Sequence, residues 1–342
     1  MLPPLEPPRH KSPIARVTVL RPRPAQDVVA TVATDDDTVV TPPLDSHRIA
    51  DPGAMLTTDA PHVDFVLPGL PIAKTGILAG AGGGGKSWLT LEILVGLALG
   101  WTWPWPADIG WRPEPASVAY LTAEEDAADI HRRLRTIGRY HNAALGAQEI
   151  ERLSANLHIY PLVGHHLTTR EFGEPGPGPL AAQIGREWEA DQHRLIVVDP
   201  LSAFAPGAEV DTPGAAALIA TTTSLARELH AAILMVHHSS QQAILGRDTG
   251  QTAARGATAL VDGQRWVGVL TPAFDPDEAE RAGMDEIERH QWVRLSLPKA
   301  THAARIRDVT FRREIGEHGG ILEPAPLPDL ATTRRSNRRE SI

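Results

Sequence analysis

Eight consecutive residues, Gly80-Ala81-Gly82-Gly83-Gly84-Gly85-Lys86-Ser87, have the composition and order needed to hold a phosphate chain. They fit G-x-x-x-x-G-K-[ST], the pattern of a phosphate-binding loop (P-loop), placed after an apolar strand and at the start of an amphipathic helix. Glycine tolerates φ > 0, so successive backbone N–H groups can turn inward around an anion. In such a loop Lys86 is expected to reach the β- and γ-phosphates of ATP, and Ser87 to ligate Mg²⁺. The helix that Lys86 opens adds the positive end of its dipole. Trp88, next in the chain, is counted with Gly80 to Ser87 among the nucleotide contacts.

A second metal-side carboxylate is expected at the end of an apolar strand, and Leu195-Ile196-Val197-Val198-Asp199 supplies one in Asp199. Where many ATPases carry a glutamate after that aspartate, this chain has Pro200, which cannot act as a base. A carboxylate is instead expected from the run Val118 to Thr122, which is followed by Ala123-Glu124-Glu125. Ligands of parallel sheets bind at the carboxyl ends of strands, so Glu124 is the expected catalytic base and Glu125 its alternate. The alternative is that both acids only open the next helix. The run Ala232 to Val236 ends in His237-His238, which a strand would turn to opposite faces, so one histidine alone can sense the γ-phosphate.

The elements that must position these groups are legible as short apolar runs alternating with helix-length amphipathic segments, the pattern of βαβ units. The expected strands are Gly76–Ala79, Ser117–Thr122, Leu157–Val163, Leu195–Val198 and Ala232–His237. Helices are expected at Lys86–Leu99, Asp126–Asn142, Pro179–Asp191 and Gly214–His230. Strands Gln264–Leu270, Gln291–Leu297 and Asp308–Arg313 would extend the same sheet antiparallel. The fold class is therefore α/β, a mostly parallel sheet with helices on both faces. Residues 1–62 read as a proline-rich, disordered arm, 63–323 as the ATPase domain, and 324–342 as a flexible tail carrying Arg334, Arg335, Arg338 and Arg339.

Composition narrows the function. With no cysteine, disulfides, zinc-thiolate scaffolds and thiol catalysis are excluded. The first residues lack the apolar core of a secretory signal, and the most apolar stretch, Ile93 to Leu99, is far short of the roughly 20 residues that span a bilayer. A cytoplasmic protein without a membrane partner is expected. The net charge of −9 argues against a surface coated by nucleic acid, while leaving room for a local basic channel.

The stretches Tyr120 to Glu125, Ile130-His131-Arg132-Arg133-Leu134, Leu195 to Asp199, Val236 to Ser239 and Arg255 to Trp266 together resemble the RepA-type replicative helicases, hexameric enzymes with a RecA-like fold. The resemblance runs from Gly76 to Trp266 and continues more weakly through Lys299 to Leu322. It implies the P-loop, base, metal and sensor roles for Lys86, Ser87, Glu124, Asp199 and His238, and a nucleotide contact for Arg133. It also implies that Arg265 reaches the active site. A ring in which ATP lies between subunits would take a further basic residue in trans, with Lys299, Arg312 and Arg313 as candidates; a solvent-facing strand edge is the plainer account of the last two. The segment Ser239 to Arg255 would face single-stranded DNA, although Arg247 is its main basic residue and it lacks an aromatic platform. The proline-rich arm lies outside the resemblance; a contact with a neighbouring subunit, a contact with a replication-initiation partner and no contact at all stay open for it. A filament-forming recombination ATPase and a non-translocating ATP-dependent regulator remain the alternatives.

Overall fold

Apolar runs of strand length and segments of helix length alternate through residues 65–238, and in the computed structural model five of these strands join four C-terminal ones in a nine-stranded sheet with helices on both faces. The structure describes residues 48–49, 51–171, 173–209, 211–238, 259–303, 306–316 and 319–328. The arm before residue 48, the segment Ser239 to Arg255 with Arg247, and the tail arginines fall outside the described residues.

The chain divides into two units, Met1–Pro61 and His62–Ile342. In the first, a short helix α1 (Pro52–Met55) is capped by Asp51, whose Oδ1 accepts from the Ala54 N–H at 2.8 Å.

The second unit begins with a small hairpin of β1 (Phe65–Leu67) and β2 (Leu70–Pro71), followed by β3 (Thr75–Gly80) and helix α2 (Lys86–Leu99). Then come β4 (Val118–Thr122), α3 (Ala127–Tyr140), α4 (Ala147–Asn156) and β5 (Leu157–Pro161). A separate hairpin of β6 (Thr168–Glu171) and β7 (Glu174–Pro177) leads into α5 (Pro179–Glu187), β8 (Leu195–Asp199), α6 (Leu201–Phe204), α7 (Thr212–Glu228) and β9 (Ala232–His238). The C-terminal part holds β10 (Trp266–Pro272), α8 (Pro276–Ala282), α9 (Glu286–Gln291), β11 (Trp292–Ala300), β12 (Val309–Gly316) and β13 (Gly319–Pro324).

The order across the sheet is β13-β12-β11-β10-β3-β9-β8-β4-β5. From β10 to β5 every pairing is parallel, and from β10 outward to β13 every pairing is antiparallel. The antiparallel extension expected from Gln264 therefore begins one strand later. β10 lies parallel to β3, with Trp266 opposite Gly76 and Leu270 opposite Gly80. Its run of five buried residues, Trp266 to Leu270, is what a strand covered on both faces requires.

Strand side chains alternate between two cores. Leu78, Val118, Tyr120, Val197 and Val236 pack on one face with α2, α3 and α4. Ile77, Ala79, Leu121, Val198 and Met235 pack on the other with α5, α6 and α7. Helix α2 is buried nearly all round, as an almost wholly apolar helix must be, and each of its fully buried leucines contributes about 1.5–3 kcal/mol. The helix that carries the P-loop lysine is thus held as core. Among the described residues no helix is long and apolar enough to cross a membrane.

Candidate functional site

The carboxyl end of the parallel sheet gathers the groups singled out in the sequence. Gly80 at the end of β3 is in register with His238 at the end of β9, and Thr122 of β4 is in register with Asp199 of β8. Between β3 and α2 the loop turns at Gly83 (φ 69°) and Gly85 (φ 98°), conformations that a side chain would strain. Lys86 is only 3 % exposed. Its Nζ donates to Gly80 O at 2.9 Å and Ala81 O at 2.8 Å, and lies 3.1 Å from His238 Nδ1. Burial holds its pKa below the usual lysine value, against the raising pull of Asp199 and Glu124.

An ammonium group only donates, so His238 Nδ1 is the acceptor of this contact, and the other ring nitrogen is Nε2. That nitrogen is 3.9 Å from Glu124 Oε2. Lys86, His238 and Glu124 therefore form a line across the sheet edge, with Glu124 its most exposed member at 61 %. His237, the next residue back, turns to the other face and pairs with Glu209 at 2.8 Å. The alternation expected of a strand separates the two histidines.

Asp199 is buried, and its Oδ2 accepts a hydrogen bond from the Tyr120 hydroxyl at 2.8 Å. Its Oδ1 is buried and accepts no hydrogen bond from any described residue. The Asp199–Pro200 peptide is cis. Burial is the main cause that pushes the Tyr120 hydroxyl pKa far up, so it stays a donor.

Helix α3 begins after Asp126, whose Oδ1 accepts from the Ala128 and Asp129 N–H groups at 2.8 Å each. Glu124 and Glu125 thus precede the helix and are not part of its first turn. Glu125 is mostly buried and ion-paired with Arg133 of α3. Desolvation raises its pKa, partly offset by the Arg133 charge. The Arg133 guanidinium also stacks over Trp88, 5.0 Å from the ring centroid. A cavity of about 410 Å³ opens here, lined by Gly83 to Trp88, Arg133, His238, Arg313 and Gly320. That volume lies in the usual range of small-molecule sites, roughly 300–1,000 Å³.

The remaining basic candidates are scattered. Arg265 is exposed at the amino end of β10, level with Thr75, about 16 Å along the strands from the P-loop edge. Within one chain it does not reach the nucleotide cavity, because the parallel pairing of β10 with β3 puts it at the wrong end. Lys299 lies at the same end, opposite Val267, and donates to Asp262 O at 2.8 Å. Arg312 is half-exposed beside Glu314, at 3.7 Å. Arg313 lines the cavity of its own chain. Tyr120 and the cis placement of Arg313 went unread in the sequence. Alternation along β4 sets only the face of Tyr120; the pairing of β4 with β8, which puts it opposite Val197 and two residues from Asp199, is what the sheet order adds.

A family model described as an AAA domain matches residues 46–243, more than half of the 342-residue chain. The match covers the P-loop, Glu124, Arg133, Asp199 and His238. Nucleotide binding and an ATP-dependent activity come with it. By that match, and by the mostly parallel sheet with a P-loop at its carboxyl edge, this chain belongs to the AAA domain family of P-loop ATPases.

Proposed function

We propose that the chain is a ring-forming, ATP-hydrolysing DNA helicase of the RepA type, which couples hydrolysis between subunits to movement along single-stranded DNA. The observation that carries the proposal is the line Lys86, His238, Glu124 at the sheet edge. It joins a phosphate-binding cation, a group able to report on it and a carboxylate free to activate water.

When ATP enters, its phosphates replace Gly80 O, Ala81 O and His238 as acceptors for Lys86. Glu124 takes the proton of the attacking water as its oxygen bonds to the γ-phosphorus and the bond to the leaving ADP oxygen breaks. A positioned base of this kind contributes about 10²–10⁴-fold. The donor set fits Mg²⁺: the Ser87 hydroxyl and the buried, unpaired Asp199 Oδ1 are hard oxygens, and this ion takes one or two such groups besides substrate phosphates. When bound, Mg²⁺ neutralises charge on the β- and γ-phosphates. Tyr120 keeps the Asp199 carboxylate oriented through its other oxygen.

Release of His238 by Lys86 changes the end of β9, from which Ser239 to Arg255 continues. Coupling to DNA through that segment rests on the resemblance to RepA-type enzymes. So does the ring; because Arg265 lies at the far end of the sheet from its own cavity, we assign it to the site of a neighbouring subunit. The test is strand displacement on tailed duplexes of both polarities, with wild type and Lys86→Ala. Displacement that needs ATP and is lost in Lys86→Ala supports the proposal. Hydrolysis without displacement on any tailed duplex overturns its helicase half.

A further inference from the structure

Four consecutive glycines, Gly82 to Gly85, make the P-loop of this chain unusually free in its backbone, and ordering glycine costs more conformational entropy than ordering any other residue. Something must set the direction of its peptides. Among the described residues, one charged side chain from outside the motif touches them. Arg313 Nη2 donates to Gly84 O at 3.0 Å and approaches Gly83 O at 3.5 Å. Among the described residues no carboxylate pairs with Arg313, and burial lowers its pKa without removing its charge.

A trans peptide points its C=O and the following N–H in opposite directions, and the Gly84–Gly85 peptide is trans. Holding Gly84 O therefore fixes the direction of the Gly85 N–H, one of the groups a P-loop turns toward phosphate. The approach of Arg313 is built into the adjacent strand. Its stem crosses β13 where Gly320 has no side chain; a Cβ there would lie 2.4 Å from Arg313 Cγ. Glu92 on α2 ties the same hairpin to the P-loop helix, accepting from the Leu322 N–H at 2.9 Å.

We propose that Arg313 is a positioning residue acting in cis: it holds the Gly84–Gly85 peptide so that the P-loop is pre-formed for the phosphates of its own subunit. The proposal rests on the nucleotide-site reading above and departs from the trans role considered for Arg313. It assigns the C-terminal β12–β13 hairpin a part in nucleotide affinity.

The test is equilibrium binding of a fluorescent ATP analogue with Mg²⁺ to the full chain, for wild type, Arg313→Ala, Arg313→Lys and Gly320→Ala, each checked by thermal melting. Arg313→Ala is expected to weaken binding by about tenfold, the change that follows from losing ~1.4 kcal/mol of charge-assisted hydrogen bonding. Arg313→Lys restores part of that loss. Gly320→Ala weakens binding although every donor remains, because the new Cβ pushes the arginine stem off its path. KM for ATP should rise while kcat at saturation changes much less, the mark of lost uniform binding. At an ATP concentration below the raised KM, adding Lys86→Ala subunits to Arg313→Ala should not lift turnover above that of Arg313→Ala alone.

Wild-type affinity in folded Arg313→Ala and Gly320→Ala overturns the proposal, and so does recovered turnover in the mixture, since that requires Arg313 to act on a neighbour. If Arg313→Ala fails to fold, Gly320→Ala and Arg313→Lys decide the matter by the same readouts. A wild type that binds no ATP analogue would instead refute the nucleotide site itself.

Discussion

Two adjacent acids, Glu124 and Glu125, have been given different work by their surroundings. Glu125 is drawn under α3 and committed to Arg133, while Glu124 stays at the mouth facing His238 Nε2. Glu124→Gln should lower turnover by about 10²–10⁴-fold while ATP remains bound, as measured by single-turnover hydrolysis and filter retention of labelled ATP. Glu125→Gln should mainly weaken ATP binding, because Arg133 loses the anchor that holds it over Trp88. If Glu125→Gln traps ATP and Glu124→Gln turns it over, the assignment of the base is wrong. Tyr120→Phe leaves Asp199 Oδ2 buried without its donor, at a cost of about 1–3 kcal/mol in unfolding free energy, measurable by denaturant titration without nucleotide. The P-loop, Asp199 and the strand-end acids were legible because each is a local string with a fixed chemistry. Tyr120 and Arg313 were not, because each acts on a residue far along the chain.

At the scale of elements, α2 is anchored by an unusual group. Glu92 is fully buried, holds the Leu322 N–H of β13 with one oxygen, and has a second oxygen that no described residue satisfies. Burial raises its pKa well above the ordinary value of 4.5, so the folded state prefers the neutral acid. Its contribution to stability is full below that ordinary value and is lost as pH rises toward the raised one. Glu92→Gln keeps the acceptor for Leu322 and removes the ionisation. Its melting temperature should therefore fall less than that of wild type between about pH 5 and about pH 8, and an identical pH profile would contradict the account. Segments of helix length between apolar strand runs made α2, α3, α5 and α7 readable to within a few residues at their ends. The β6–β7 hairpin and β13 were missed because Glu-Pro-Gly-Pro and Gly-Gly-Ile-Leu contain residues that strands avoid. β10 was read with the antiparallel group because alternation reveals which faces are covered and says nothing of the direction of the neighbour.

For the whole molecule, the nucleotide edge and the edge that carries Arg265 and Lys299 lie at opposite ends of one sheet. In the proposed ring, a subunit built this way would offer its site at one end and its cations to a neighbour at the other, so turnover should depend on assembly. ATPase per subunit should fall on dilution as the assembly dissociates, and concentration-independent turnover would argue against any residue supplied in trans. Arg265→Ala should bind ATP like wild type yet lose turnover in the assembled state, checked by paired binding and hydrolysis measurements. The most direct measurement is phosphate release from ATP by wild type and by Lys86→Ala at equal concentration, with thermal melts to show that both are folded. Wild type should show Mg²⁺-dependent turnover and Lys86→Ala none. Undiminished turnover in folded Lys86→Ala would contradict it.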